Sequence, residues 1–203
     1  TGVEAVAGNT TSTVASWLST DNVRAPNANT SLAIGNFQIN SLVLAVTAAR
    51  QYSLGSAAGT GTTMTLGSGG LIQVGNNAIF QGGRITAGQN VNDAAELFLN
   101  IGEFTGTTAR VLSFNTQIID NGSGAVTLVK SGNGTLSLQP IAVNNTYTGG
   151  TYINGGLVVT GATAGRTYLG TGNVFVDNGQ LTLNQAGAAS TATMSATNNG
   201  QSG

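Results

Sequence analysis

Leu42, Met64, Ile85, Leu112, Leu136, Leu157 and Leu181 stand 22, 21, 27, 24, 21 and 24 residues apart. Among these markers lie short runs in which apolar and polar residues alternate, at 38–46, 63–67, 71–75, 78–83, 96–101 and 110–114, then at 125–130, 135–139, 157–161, 173–177 and 180–184. Alternation of this kind predicts strands, because successive side chains on a strand point to opposite faces. Nothing from 30 to 185 sustains a helical period. A repeat in the twenties built from short strands predicts an all-β chain, a parallel β-helix with about three short strands per coil. One such coil cannot bury its inward face alone; stacking on its neighbours does. At a strand spacing of roughly 4.8 Å the six steps would make a rod of about 30 Å.

Composition supports strands and tight turns. Hydrophobic residues make up 40% of the 203-residue chain and charged residues 6%, against roughly a quarter charged in an average soluble domain. Polarity comes instead from 31 Gly, 29 Thr and 22 Asn. Thr is β-branched, whereas Gly and Asn tolerate positive φ. A disordered linker would share the glycine but would lack the apolar alternation. Asn-Gly pairs begin at Asn121, Asn133, Asn154, Asn178 and Asn199. Read as two-residue hairpins, they favour the alternative architecture, an antiparallel β-sandwich or barrel. Read as corners, their amides can stack between coils.

Charge and chemistry exclude several classes. The formal net charge is −1, and Arg24, Arg50, Arg84, Arg110, Lys130 and Arg166 are scattered, so no basic patch tracks a nucleic-acid backbone. No apolar run reaches the length of a transmembrane helix. Cys and His are absent, which removes disulfides, an imidazole base and His metal sites. Of seven carboxylates, only Asp93, Glu96 and Glu103 cluster, and they read as a solvated rim around one strand. The Gly-rich stretch 59–63 lacks the Gly-Lys-Ser/Thr ending of a phosphate loop. These readings predict a non-catalytic chain with no catalytic, cofactor-binding or metal residues and no cofactor. Tyr52, Phe80, Phe98, Phe114 and Tyr147 fill or cap a core, or bind glycans if exposed in a row.

The densest stretch, KSGNGTLSLQPIAVNNTYTGGTYINGGLVVT at 130–160, followed by LGTGNVFVDNGQLTLN at 169–184, resembles the autotransporter-associated β-strand repeat, also called the passenger-associated transport repeat. Lys130, Gly132, Gly134, Thr135, Leu136 and Leu138 match the first part of that pattern. Asn145, Thr146, Tyr147, Gly149, Gly150 and Thr151 match the second, and Asn154, Gly155, Gly156 and Leu157 close it. Pro140 and Ile141 depart from it, standing where small polar residues are expected. The resemblance implies a right-handed parallel β-helix in a large bacterial protein that is secreted or displayed at the cell surface. It implies a structural role as stalk or extracellular fibre subunit, with an adhesin-type module recognising glycan or a host surface as the alternative. Expected partners are further coils of the same or an identical chain, forming a homopolymer, or a glycan or cell-surface ligand. Nucleic acid and a transmembrane helix are not expected.

Along the chain, 1–30 is expected to be an irregular N-terminal segment leading into the coils. Residues 31–185 form the coils, with the best repeat match at 130–184, and 186–203 is a frayed end or a truncated next coil. The chain starts at Thr1 and reads as a piece of something longer. Lys130 is expected at a coil corner.

Overall fold

The computed structural model of the chain describes residues 16–102 and 110–184. Glu4, Glu103 and the segment 186–203 therefore lie outside the described residues. The named elements are all strands. They are β1 (Asn22–Arg24), β2 (Thr30–Ser31), β3 (Phe37–Ile39), β4 (Ser41–Leu44), β5 (Arg50–Leu66), β6 (Gly70–Gln73), β7 (Ala78–Ala87) and β8 (Ala95–Ile101). Then follow β9 (Val111–Ile118), β10 (Val126–Ser131), β11 (Thr135–Leu138), β12 (Thr151–Ile153), β13 (Gly156–Thr160), β14 (Val174–Val176) and β15 (Gly179–Thr182).

These strands make two sheets. Sheet A runs β1-β4-β6-β8-β10-β12-β14, and sheet B runs β15-β13-β11-β9-β7-β5-β2 with β3 also on β5. From β4 onward consecutive strands alternate between the sheets, so each strand lies beside the next but one. Every pairing between named strands is parallel. The antiparallel alternative is thereby overturned. The reason lies in the Asn-Gly pairs: Asn133, Asn154 and Asn178 sit between β10 and β11, β12 and β13, and β14 and β15. They turn the chain from sheet A into sheet B instead of folding a strand back on its neighbour. An isolated antiparallel bridge joins Asn121 and Gly124.

Two strands, not three, recur with each passage of the chain. The stretches 139–150 and 161–173 hold no named strand. They carry Pro140 and several glycines, and side-chain amides take up part of their main-chain hydrogen bonding. Asn144 Oδ1, for example, accepts the Thr167 N–H at 3.1 Å.

The core lies between the sheets. Leu42, Leu71 and Leu99 are register partners in sheet A, and all are buried. In sheet B, Tyr52, Phe80 and Phe114 are register partners, with successive ring centroids 5.5 Å apart. Alternation does this directly: along Val111–Ile118 every second residue is buried. The seven markers are a mixture of columns. Leu42 belongs to sheet A, Ile85 pairs with Ile118, and Leu136 pairs with Val158 while Leu157 faces outward. Insertions in the connections shift the register, so a step counted on apolar residues alone wanders between columns. Within the stretch 1–30, the described residues include β1 and β2, and Trp17 packs edge-on against Phe37 at 6.1 Å.

Candidate functional site

The motif residues at 130–156 converge on one corner of the molecule. Lys130 is not at the corner itself. It lies in β10, in register between Leu99 and Ile153, and its side chain is 0% exposed. The inward phase of the strand leaves it no other direction, and its length carries the ammonium to the corner. There Nζ donates to the main-chain oxygens of Ser131 (2.8 Å), Gly132 (2.7 Å) and Gly155 (3.0 Å). Burial pushes the Lys130 pKa down to about 8, so the ammonium persists at neutral pH inside a cradle of carbonyls. An amine with that pKa is a competent nucleophile only where solute can reach it; burial makes this one a tie between two passages of chain.

Gly156 shows why the corner needs glycine. Its φ is +66°, and a Cβ there would land on the main chain at Gly134 and Gly132. Gly134 N–H donates to Ile101 O at 2.8 Å, and Asn154 N–H donates to Lys130 O at 2.8 Å. Leu136 and Leu138 are buried in β11. Each motif position at this corner is thus accounted for by a turn, a ladder bond or core packing.

The second half of the motif builds a polar core. Asn145 is 1% exposed. Its Oδ1 accepts the Ile118 N–H at 2.8 Å, and its Nδ2 donates to Tyr168 O at 2.6 Å. One amide thereby joins segments that lie 27 residues before it and 23 residues after it. Thr146 N–H donates to Ile118 O, Gly149 N–H to Val126 O, and Gly150 O accepts the Leu128 N–H. Thr151 Oγ1 donates to Leu169 O at 3.2 Å. Because its proton is so used, the Tyr147 hydroxyl, 2.6 Å away, is the donor to Thr151 Oγ1. Burial pushes the Tyr147 pKa up, and the Thr151 contact opposes it. Burial likewise pushes Tyr52 up to about 12, against the pull of Arg50; the Tyr52 hydroxyl donates to Pro26 O at 2.6 Å.

Two participants, Asp120 and Tyr168, lie outside the motif residues. Asp120 Oδ1 accepts the N–H groups of Val126 (2.8 Å) and Thr148 (2.9 Å), and Oδ2 accepts the Thr148 hydroxyl (2.9 Å). Tyr168 supplies the carbonyl that Asn145 holds. Of the two residues that depart from the repeat pattern, Pro140 is buried and Ile141 is exposed. A strap at 55–61, an excursion within β5, passes close enough that a Cβ on Gly59 would touch Val143 and Gln117.

Of the aromatic candidates, Tyr52, Phe80, Phe114 and Tyr147 are buried. Phe98 is 38% exposed on the outer face of sheet A. The register continues from it through Val129 and Tyr152 to Phe175. Tyr152 is 37% exposed, and its ring stacks on Phe175 at 4.6 Å and 18°.

Asp93 Oδ2 accepts from Asn90 Nδ2 at 2.9 Å, and Glu96 is exposed on β8. Among the described residues no three His, Cys, Asp or Glu residues converge on a metal-sized site. A groove of about 510 Å³ opens beside β15, lined by Asn133, Thr135, Leu157, Asp177, Asn178 and Gln180. Among the described residues no helix is long and apolar enough to cross a membrane. No protein-family model, curated protein or solved structure matches the chain.

Proposed function

We propose that this chain is a segment of a right-handed parallel β-helix within a large secreted or surface-displayed bacterial protein, where it serves as stalk or extracellular fibre subunit. The observation that carries the reading is the strand order: each strand pairs in parallel with the next but one, in both sheets. Repeated passage of the chain around one core is the simplest path with that order. Placement outside the cell and the right-handed sense rest on the resemblance of 130–184 to the passenger-associated repeat.

The two sheets end at β14 and β15, and each of these strands has a paired neighbour on one side only among the described residues. Unpaired strand edges template further strands, so coils of an identical chain can continue the stack. Electron microscopy of the purified chain tests the fibre form of this reading. Long fibres of uniform width support it, and monodisperse short rods at all concentrations refute it.

The outer-face row from Phe98 to Phe175, with Phe98 and Tyr152 exposed and Val129 buried between them, favours a second reading, an adhesin-type module that holds a glycan or host surface along sheet A. Binding to a glycan array that disappears on Tyr152→Thr, with an unchanged melting temperature, would support it. Binding indifferent to that change would remove it.

A further inference from the structure

Four Asn-Gly pairs lie among the described residues, beginning at Asn121, Asn133, Asn154 and Asn178. In such a pair the glycine main-chain nitrogen can attack the asparagine side-chain Cγ, because no side chain on the following residue obstructs the five-membered ring. The new C–N bond forms as ammonia leaves, giving a succinimide. Water then opens the ring at either carbonyl, and the product is aspartate or isoaspartate. No oxidant or reductant takes part. The attack needs a side-chain amide free to swing and a glycine nitrogen able to leave its hydrogen bond.

Two of the corners withhold one of these, and a third is held by its main chain. Asn121 is buried, and its Nδ2 donates to Asn90 O at 2.6 Å and Asp93 O at 3.2 Å. After Asn133, the Gly134 nitrogen is buried and committed to Ile101 O at 2.8 Å. At the third, the Asn154 side chain is exposed, but Gly155 is buried and the main chain is anchored on both sides. Asn154 N–H donates to Lys130 O at 2.8 Å, and Gly155 O accepts the Lys130 ammonium at 3.0 Å.

Asn133 and Asn154 are exposed as Asn178 is, and Asn133 lines the same groove beside β15; Asn178 differs in that its glycine opens an end strand of the sheet. Gly179 pairs with Gly156 in the β13–β15 ladder, and β15 has no second paired neighbour among the described residues. A strand held on one edge opens more readily than one held on both. We propose that Asn178 is a spontaneous modification site of this chain, deamidating through attack by the Gly179 nitrogen ahead of the other three Asn-Gly corners. Isoaspartate there would lengthen the main chain by one methylene at the residue that leads into β15. It would also set a second carboxylate beside Asp177.

The test is incubation of the folded, full-length chain at mildly alkaline pH, with tandem mass spectrometry resolving each site, Asn199 included. Asn178 is expected to convert about tenfold or more faster than Asn121 and Asn133, which must first break at least one hydrogen bond. In denaturant the four rates should converge, and Asn178→Gln should abolish the fast phase. Equal rates in the folded chain would overturn the proposal. So would a faster rate at Asn121, Asn133 or Asn154, or an unreacted Asn178 after the denatured chain has converted.

Discussion

Asn145 and Lys130 carry buried polar load in different ways. Asn145 satisfies two main-chain groups with one buried amide. Asn145→Leu keeps the volume, leaving the Ile118 N–H and the Tyr168 carbonyl without it; each such orphan costs about 1–3 kcal/mol. The expected loss is therefore roughly 2–5 kcal/mol, read from the urea midpoint. Lys130 acts through its charge. Its folded pKa of about 8 lies below the ordinary 10.5, so between those values the unfolded chain holds a proton that the folded chain has released. Stability contributed by this group must then rise with pH across that window and stay level below it. The stability difference between the parent and Lys130→Met, followed over pH, should climb from about 8 toward about 10.5. A fall would mean that the three carbonyls hold the ammonium better than water does. Tyr52 has the opposite sign. Its folded pKa of about 12 exceeds 10.0, so its contribution is intact below pH 10.0 and is lost as the pH rises toward about 12. Tyr52→Phe should flatten that alkaline loss.

At the scale of elements, β5 and β7 show what a strand must give up to accommodate an insertion. The register between them shifts between Ser53 and Ala58 and again between Ala58 and Thr63, so that within the strap Ala58 keeps a partner, Gly83. Gly83 has φ +58°, and a Cβ there would strike the Leu54 side chain and main-chain oxygens. Gly83→Ala should destabilise by more than the roughly 1–2 kcal/mol that a left-handed conformation costs an L-residue, and hydrogen exchange should locate the loss in β5 and β7. A loss confined to distant strands would contradict this. The strap also marks where sequence reading stopped. Alternating runs such as 96–101 and 125–130 coincide with β8 and β10, because period-2 burial is a local property. The sheet to which Leu42 or Ile85 belongs depends on connection lengths, and apolar spacing does not reveal them. Lys130 was legible as a motif residue but not as an interior one, since a lone charge reads as surface until its carbonyl partners are in place. Asn145 was legible as a corner; its hold on Ile118 and Tyr168 depends on register, which no single segment encodes.

For the whole molecule, low charge and parallel strand order belong together. A parallel sheet covered on its inner face needs few charged residues, and Thr and Asn on the outward faces keep the chain polar without them. At about 4.8 Å per strand, the seven strands of sheet A span about 29 Å. The central claim is that neighbours in each sheet run parallel with the chain passing through the other sheet between them. Because the chain has no cysteine, engineered disulfides test this without background. In the parallel register Glu96 faces Thr127 and Asn100 faces Ser131. Glu96→Cys with Thr127→Cys, and Asn100→Cys with Ser131→Cys, should each oxidise to an intramolecular disulfide, since adjacent strands place Cα atoms within the roughly 4.4–6.8 Å that the bond requires. The crossed pairs, Glu96 with Ser131 and Asn100 with Thr127, lie four residues out of step, about 13 Å along the strand, and should remain reduced. Crosslinking of the crossed pairs in place of the registered ones would mean antiparallel neighbours and would contradict the account.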